Sequence, residues 1–300
     1  MYNSPLESRQ KSLFSTEYPI DPKIINVASV SQLSPFRYPG GKTWLVPQVR
    51  NWLLHKSTKP TEFIEIFAGG GIVGLTVAAE RLAEHVTMIE LDPDVASVWH
   101  TLLSDDAEWL AQRILQFTMS ISNVKEALAD SPESNKDRAF QTILKNRVNH
   151  GGILAPGTGL LKSGENGKGI LSRWYPETLA RRIRNISAMR DRIAFIEGDG
   201  LASLRTNFNR TDVAFFIDPP YTAPGKGAGK RLYAFNEIDH NGLFDLASTV
   251  TGDFMMTYDN ADSVRKMAEV HGFSIREVAM KNTHHAKMTE LLIGPAQHVL

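Results

Sequence analysis

The sequence predicts an α/β protein: a doubly wound, mostly parallel sheet carrying a mainly helical insertion. Three observations predict it. Short runs of strand length recur at Phe63–Phe67, Val86–Ile89, Ile193–Ile196 and Val213–Ile217, and the last, continuously apolar, has the pattern of a buried parallel strand. Each run ends in a turn rich in glycine, proline or acid: Ala68-Gly69-Gly70-Gly71, Glu90-Leu91-Asp92-Pro93, Gly198-Asp199 and Asp218-Pro219-Pro220-Tyr221. Between about residues 95 and 189 the strand pattern gives way to helical periodicity.

Residues 1–33 are polar with scattered Pro and Ser and read as an N-terminal arm or a partly disordered lead. Phe36 to Lys42 is a loop punctuated by Pro and Gly. Thr43–Leu54 then has helical spacing, with Trp44, Leu45, Val49, Trp52 and Leu53 on one stripe. The strand at 63–67 leads through the glycines into a helix bearing Ile72, Val73, Leu75, Val77, Ala79 and Leu82. Within the helical block, Gly151 to Gly169 is a polar, glycine-rich stretch with no strand period. Three more strands are expected at Phe254–Tyr258, Phe273–Met280 and Glu290–Ile293. This organisation divides the chain into the arm, a sheet domain made of 34–105 and 190–300, and an inserted domain at 106–189.

The 300 residues are 42% hydrophobic and 22% charged, ordinary for a water-soluble globular chain. No stretch approaches the roughly 18 apolar residues of a membrane span, and the N-terminus lacks the apolar core of a signal peptide. The absence of cysteine excludes disulfides and thiolate metal sites, so a cytoplasmic location is expected. His284-His285 lack a third ligand at zinc spacing and read as surface residues, so no metal is expected. Net charge is zero, yet residues 136–192 hold twelve Lys/Arg against four acids, a local +8 within a remainder of −8. A basic block in a balanced chain is suited to a polyanion such as nucleic acid. The candidate phosphate contacts are Arg147, Lys162, Lys168, Arg173, Arg181 and Arg182, joined by Lys226, Lys230 and Arg231 after Tyr221.

Asp218-Pro219-Pro220-Tyr221 lies at the carboxyl end of a buried strand, where ligands bind in open α/β sheets. Each proline fixes φ and removes an N–H, which holds the carbonyls of Asp218 and Pro219 outward as fixed acceptors. Acceptors beside the Tyr221 ring suit a planar group bearing an NH2, such as adenine. The glycine turn, with Phe67, Gly69 and Gly71, lets the backbone approach a ligand closely. Glu90 follows Gly69 by 21 residues at the next strand end, the spacing of an acid that binds ribose hydroxyls. The Gly-x-Gly-x-x-Gly order is incomplete, which favours a nucleoside over a pyrophosphate. Gly40-Gly41-Lys42-Thr43 is not a triphosphate loop, because Phe36 stands where that motif needs glycine. It reads instead as a loop over the nucleoside, with Tyr38 for stacking and Lys42 as a cation for a carboxylate. Asp199 either accepts from an adenine amine or caps a helix.

Phe36-Arg37-Tyr38-Pro39-Gly40-Gly41-Lys42, then Glu65-Ile66-Phe67-Ala68-Gly69-Gly70-Gly71, then Asp218-Pro219-Pro220-Tyr221 resemble, in that order, the DNA adenine methylase family, the D12 class of N6-adenine-specific DNA methyltransferases. The resemblance runs from about residue 34 to 295, and Lys287–Ile293 is similar to the family's closing strand. It implies a Rossmann-like methyltransferase sheet with a target-recognition insertion, S-adenosylmethionine as cofactor and double-stranded DNA as substrate. It also implies cofactor contacts at Tyr38, Lys42, Glu90 and Asp218. Tyr38 stands where some members have Trp, and Glu90 where many have Asp. The expected enzyme is a site-specific adenine methyltransferase, solitary or partnered with a restriction endonuclease. A methyltransferase acting on RNA adenine and a catalytically silent DNA-binding regulator are the alternatives. Asp218 and Pro219 would accept the amine hydrogens of a flipped adenine stacked on Tyr221. The segment Ala223–Arg231 would close over the DNA.

Overall fold

The computed structural model describes residues 30–37, 40–220, 238–281 and 287–296. Seven strands form one sheet: β1 (Glu62–Glu65), β2 (His85–Glu90), β3 (Ile193–Glu197), β4 (Val213–Ile217), β5 (Asp253–Asp259), β6 (Ser274–Lys281) and β7 (Lys287–Gly294). Their spatial order is β3-β2-β1-β4-β5-β7-β6. The first five run parallel, and β7 is antiparallel to both β5 and β6. Every strand expected from the sequence is present. β1 stops two residues short of the expected Phe67, although the Ile66 amide still donates to the Phe216 carbonyl at 3.2 Å.

The period-2 alternation of strand side chains splits the core in two. Phe63, Val86, Met88, Ala214, Phe216 and Met255 point to one face. Ile64, Ile89, Val213, Phe215, Ile217, Phe254 and Met256 point to the other. Both sets are buried, which explains why β4 reads as an unbroken apolar run. The first face is covered by α1 (Val46–Leu54), α2 (Ile72–Glu80) and α3 (Pro93–Leu102). The second is covered by α8 (Gly200–Asn207), α9 (His240–Ala247) and α10 (Asp262–Val270). Helices on both faces make the sheet doubly wound, as predicted. No helix among the described residues is long and apolar enough to cross a membrane.

The inserted segment supplies α4 (Ala107–Gln116), α5 (Ile121–Ala127), α6 (Asn135–Val148) and α7 (Pro176–Ser187). Local capping sets their starts: the Ser120 hydroxyl accepts from Asn123 N and the Ser134 hydroxyl from Asp137 N. Between α6 and α7 the chain is irregular, with short 3-10 turns and one isolated bridge, Asn149 with Leu160. The apolar faces of these helices do not form a separate core. Leu110, Ile114, Phe140, Ile143, Leu144 and Ile183 join the same cluster as Trp99 of α3 and Phe63 of β1.

The local +8 is smaller in space than in sequence. Acids that precede the block meet it: Lys136 pairs with Asp106 at 3.0 Å and Lys145 with Asp94 at 3.4 Å. Arg184 makes a two-point pair with Glu108, and Arg190 reaches Asp105 at 2.7 Å. A charge count along the chain cannot see partners contributed by neighbouring helices.

Candidate active site

The site is built where the strand order changes direction, between β1 and β4, the position at which open α/β sheets leave a crevice. Three carboxyl groups stand at the ends of adjacent strands there: Glu90 on β2, Glu65 on β1 and Asp218 just past β4.

The glycine turn is tight. The Gly71 amide donates to the Ala68 carbonyl at 2.6 Å, and the Ala68 amide to the Ile89 carbonyl at 2.8 Å. Gly71 has φ of 61°, and a Cβ there would lie 2.6 Å from the Trp99 ring and 2.7 Å from the Met88 methyl. Conformation and space both require glycine. Trp99 Nε1 donates to the Gly69 carbonyl at 3.0 Å. Glu90 closes the loop from the other side: its carboxylate accepts from Gly69 N at 2.7 Å and from Leu91 N and Asp92 N, each at 2.9 Å. Burial raises the Glu90 pKa while those amides oppose the shift. Glu90 is therefore already engaged with backbone, an organising role added to the ribose contact expected of it.

Glu65 opens the glycine motif, yet its sequence context alone assigned it no role. It is buried, and Oε2 accepts from Gly74 N at 2.8 Å. Desolvation pushes its carboxyl up to about 8; the neighbouring Asp218 and Glu90 charges push the same way, and the Gly74 amide opposes them. The available signal was an acid inside the apolar run Phe63–Phe67. A carboxyl raised on folding binds its proton more tightly in the native state, so its stabilising contribution is complete below the unfolded value near 4.5 and fades as pH rises toward 8. Glu65→Gln is expected to flatten the fall in stability between pH 5 and 8. Urea unfolding of both proteins across that range checks it: parallel curves would mean that Glu65 does not titrate there.

Lys42 is paired within the protein. It is buried, and its ammonium lies 3.0 Å from Asp218 Oδ1, 3.5 Å from Glu290 Oε2 and 3.2 Å from the Gly40 carbonyl. It does serve a carboxylate, but the partners are the protein's own acids. Thr257 on β5 donates to the same Asp218 Oδ1 at 2.6 Å. Asp218 is thus oriented by two donors before any substrate arrives, with Pro219 buried behind it. Glu290, on the antiparallel strand β7, is the second residue missed; sequence spacing alone does not reveal which strand packs beside β5.

The remaining predicted residues divide by environment. Phe67 is half-buried and packs on the second core face. Asp199 caps α8 by accepting from Leu201 N at 2.9 Å, which realises the capping reading. Lys162, Lys168 and Arg181 are exposed, and Arg173 is half-buried. Arg182 is half-buried and donates to the Ser34 carbonyl at 2.9 Å. Arg147 corrects the sequence expectation of a phosphate contact: it is 4% exposed and its guanidinium donates to the Pro35 carbonyl. Burial, reinforced by the charges of Arg182, Arg37 and Arg173, lowers it to about 9. Tyr38, Tyr221, Lys226, Lys230, Arg231 and His284-His285 lie outside the described residues. Among the described residues no cluster of His, Asp and Glu is arranged to hold a metal.

Residues 38–148 match the family of D12 class N6 adenine-specific DNA methyltransferases. The match covers Lys42, the glycine turn and Glu90, and ends before Asp218. It supports an S-adenosylmethionine-dependent methyltransferase. No curated protein matches the chain. Among solved structures, the rRNA methyltransferase aviRa from Streptomyces viridochromogenes is similar at 14% identity, covering 86% of this chain and 87% of that one with a TM-score of 0.39. The precorrin-6y C5,15-methyltransferase from Geobacter metallireducens is similar at 11% identity, covering 82% and 86% respectively with a TM-score of 0.33.

Proposed function

We propose that the chain transfers a methyl group from S-adenosylmethionine to the exocyclic nitrogen of adenine in duplex DNA, at a specific sequence, with the base turned out of the helix. The observation that carries this reading is the oriented Asp218 carboxylate, held by Thr257 and Lys42 beside the glycine turn and followed by two prolines. The residues fit the cofactor. Gly69 and Gly71 leave bare backbone at the strand ends, and the Glu90 carboxylate, with three of its roughly four acceptor sites taken by backbone amides, keeps one on Oε2 for a ribose hydroxyl. Gly71, Glu90 and Phe67 would hold the nucleoside.

The bound cofactor supplies an electrophilic methyl group. An adenine amine is a weak nucleophile because its lone pair is conjugated with the ring. Asp218 and the Pro219 carbonyl accept its two hydrogens, which favours a tetrahedral nitrogen as positive charge develops on it. The prolines keep these acceptors fixed, so reactants are aligned before reaction. The target nitrogen takes part in base pairing, so the base must leave the stack, and the Tyr221 ring is the surface proposed to receive it. Asp199 is not needed in this scheme, since it already caps α8.

The test is incorporation of labelled methyl into mixed-sequence duplex DNA, compared with RNA of the same sequence, followed by mapping of the methylated positions. Label on RNA alone would replace the DNA reading, and no label on either would leave a silent binder. DNA contact is proposed at Lys162, Lys168, Arg173, Arg181 and Arg182, with Lys226, Lys230 and Arg231. Changing Arg181 and Arg182 together to Gln is expected to lower the slope of log K against log salt by roughly one for each phosphate no longer neutralised. An unchanged slope in a salt titration would mean that this face of α7 does not meet DNA. A cognate restriction endonuclease is a further proposed partner, because methylation at fixed sites protects DNA from cleavage there.

A further inference from the structure

A short strap, Ser34–Arg37, runs between the helical block and the glycine turn, and side chains of the block hold three of its four carbonyls. Arg182 Nη1 donates to the Ser34 carbonyl at 2.9 Å, Arg147 Nη2 to the Pro35 carbonyl, and Asn146 Nδ2 to the Arg37 carbonyl at 3.0 Å. Asn146 is fully buried and uses its whole amide: Oδ1 accepts from Arg37 N at 2.8 Å, and Nδ2 also donates to the Gly152 carbonyl at 2.8 Å. Gly152 comes so close that a Cβ there would sit 2.5 Å from the Arg37 carbonyl. On its opposite side the strap grips the turn. Ser34 Oγ donates to the Gly70 carbonyl at 2.5 Å, and the Phe36 ring lies 5.9 Å from Trp99, whose indole holds the Gly69 carbonyl. Lys42 follows five residues later.

We propose that Asn146 and Arg147 are positioning residues that set the strap against the glycine turn, and so fix the affinity of the site for S-adenosylmethionine from within the helical block. The inference rests on the cofactor reading above. Arg147 is a cation spent on a buried carbonyl of the strap, where a neutral side chain of similar length would pack without desolvating charge. The linkage is reciprocal: cofactor that orders the turn also orders the strap and the end of α6.

Two measurements on the full chain test this. In the wild-type protein, S-adenosylmethionine should slow hydrogen exchange at the Arg37 amide and at the amides of 145–149, as well as at the glycine turn. By calorimetry, Asn146→Ala and Arg147→Met should each weaken S-adenosylmethionine binding by about tenfold, with Arg147→Lys recovering part of it. DNA affinity should change little, since neither side chain reaches the surface. Ile143→Val, a core change on the same helix that leaves the strap untouched, should lower thermal stability without altering cofactor affinity. Protection confined to the turn overturns the proposal, as does an Ile143→Val variant that binds as weakly as Asn146→Ala. A wild-type chain that fails to bind S-adenosylmethionine overturns the cofactor reading itself, and this inference with it. The exchange measurement needs no variant to fold.

Discussion

Asp218→Ala is expected to reduce methyl transfer by about 10²–10³-fold, the usual cost of removing one preorganised partner of developing charge. The chain should stay folded, because Asp218 is only half-buried at the rim of the sheet and Lys42 keeps Glu290 as a partner. Asp218→Asn preserves the shape but presents a weaker acceptor, so it should fall between the two. Single-turnover transfer from labelled S-adenosylmethionine, with circular dichroism as the folding control, separates chemistry from unfolding. An Ala variant that retains more than about a tenth of the wild-type rate would remove Asp218 from the mechanism.

Lys42→Met should produce the largest loss of stability among single changes at this site, about 3–5 kcal/mol. The ammonium stands between two carboxylates whose side chains are 20% and 9% exposed, Asp218 and Glu290. Its removal leaves two negative charges facing each other across a space just vacated by the cation. The double variant Lys42→Met with Glu290→Gln should recover part of the loss, because one of the stranded charges is gone. Denaturant unfolding of the two single variants and the double measures this coupling. Equal stabilities for Lys42→Met with and without the Glu290 change would show that Glu290 does not sense the lysine.

The parts of this molecule that follow local rules were legible in its sequence. The apolar run Val213–Ile217 gave a strand because burial on both faces leaves no polar positions. The glycine turn was readable because Gly71 must take a positive φ against Trp99. Long-range partners were not legible. Glu290 is 248 positions from Lys42 in the sequence, and no periodicity links them. Arg147 looked like its basic neighbours, since whether an arginine on a helix faces solvent or a carbonyl depends on what packs over it. The charge count over residues 136–192 overstated the local excess for the same reason: Asp94, Asp105, Asp106 and Glu108 lie outside the counted window but beside it in space.

The apolar cluster shared by the inserted helices and the sheet bears on which parts of the chain could be exchanged. Exchanging 106–189 wholesale for the equivalent piece of another protein would pull Leu110, Phe140, Ile143 and Ile183 out of a core built around Trp99. Such chimeras should precipitate or fold poorly, whatever their recognition surface. The seams tolerant of grafting lie instead within the irregular stretch between α6 and α7. Gly159 there has open space where a side chain would go and no positive φ, so changes confined to exposed positions of this kind leave the interior closed.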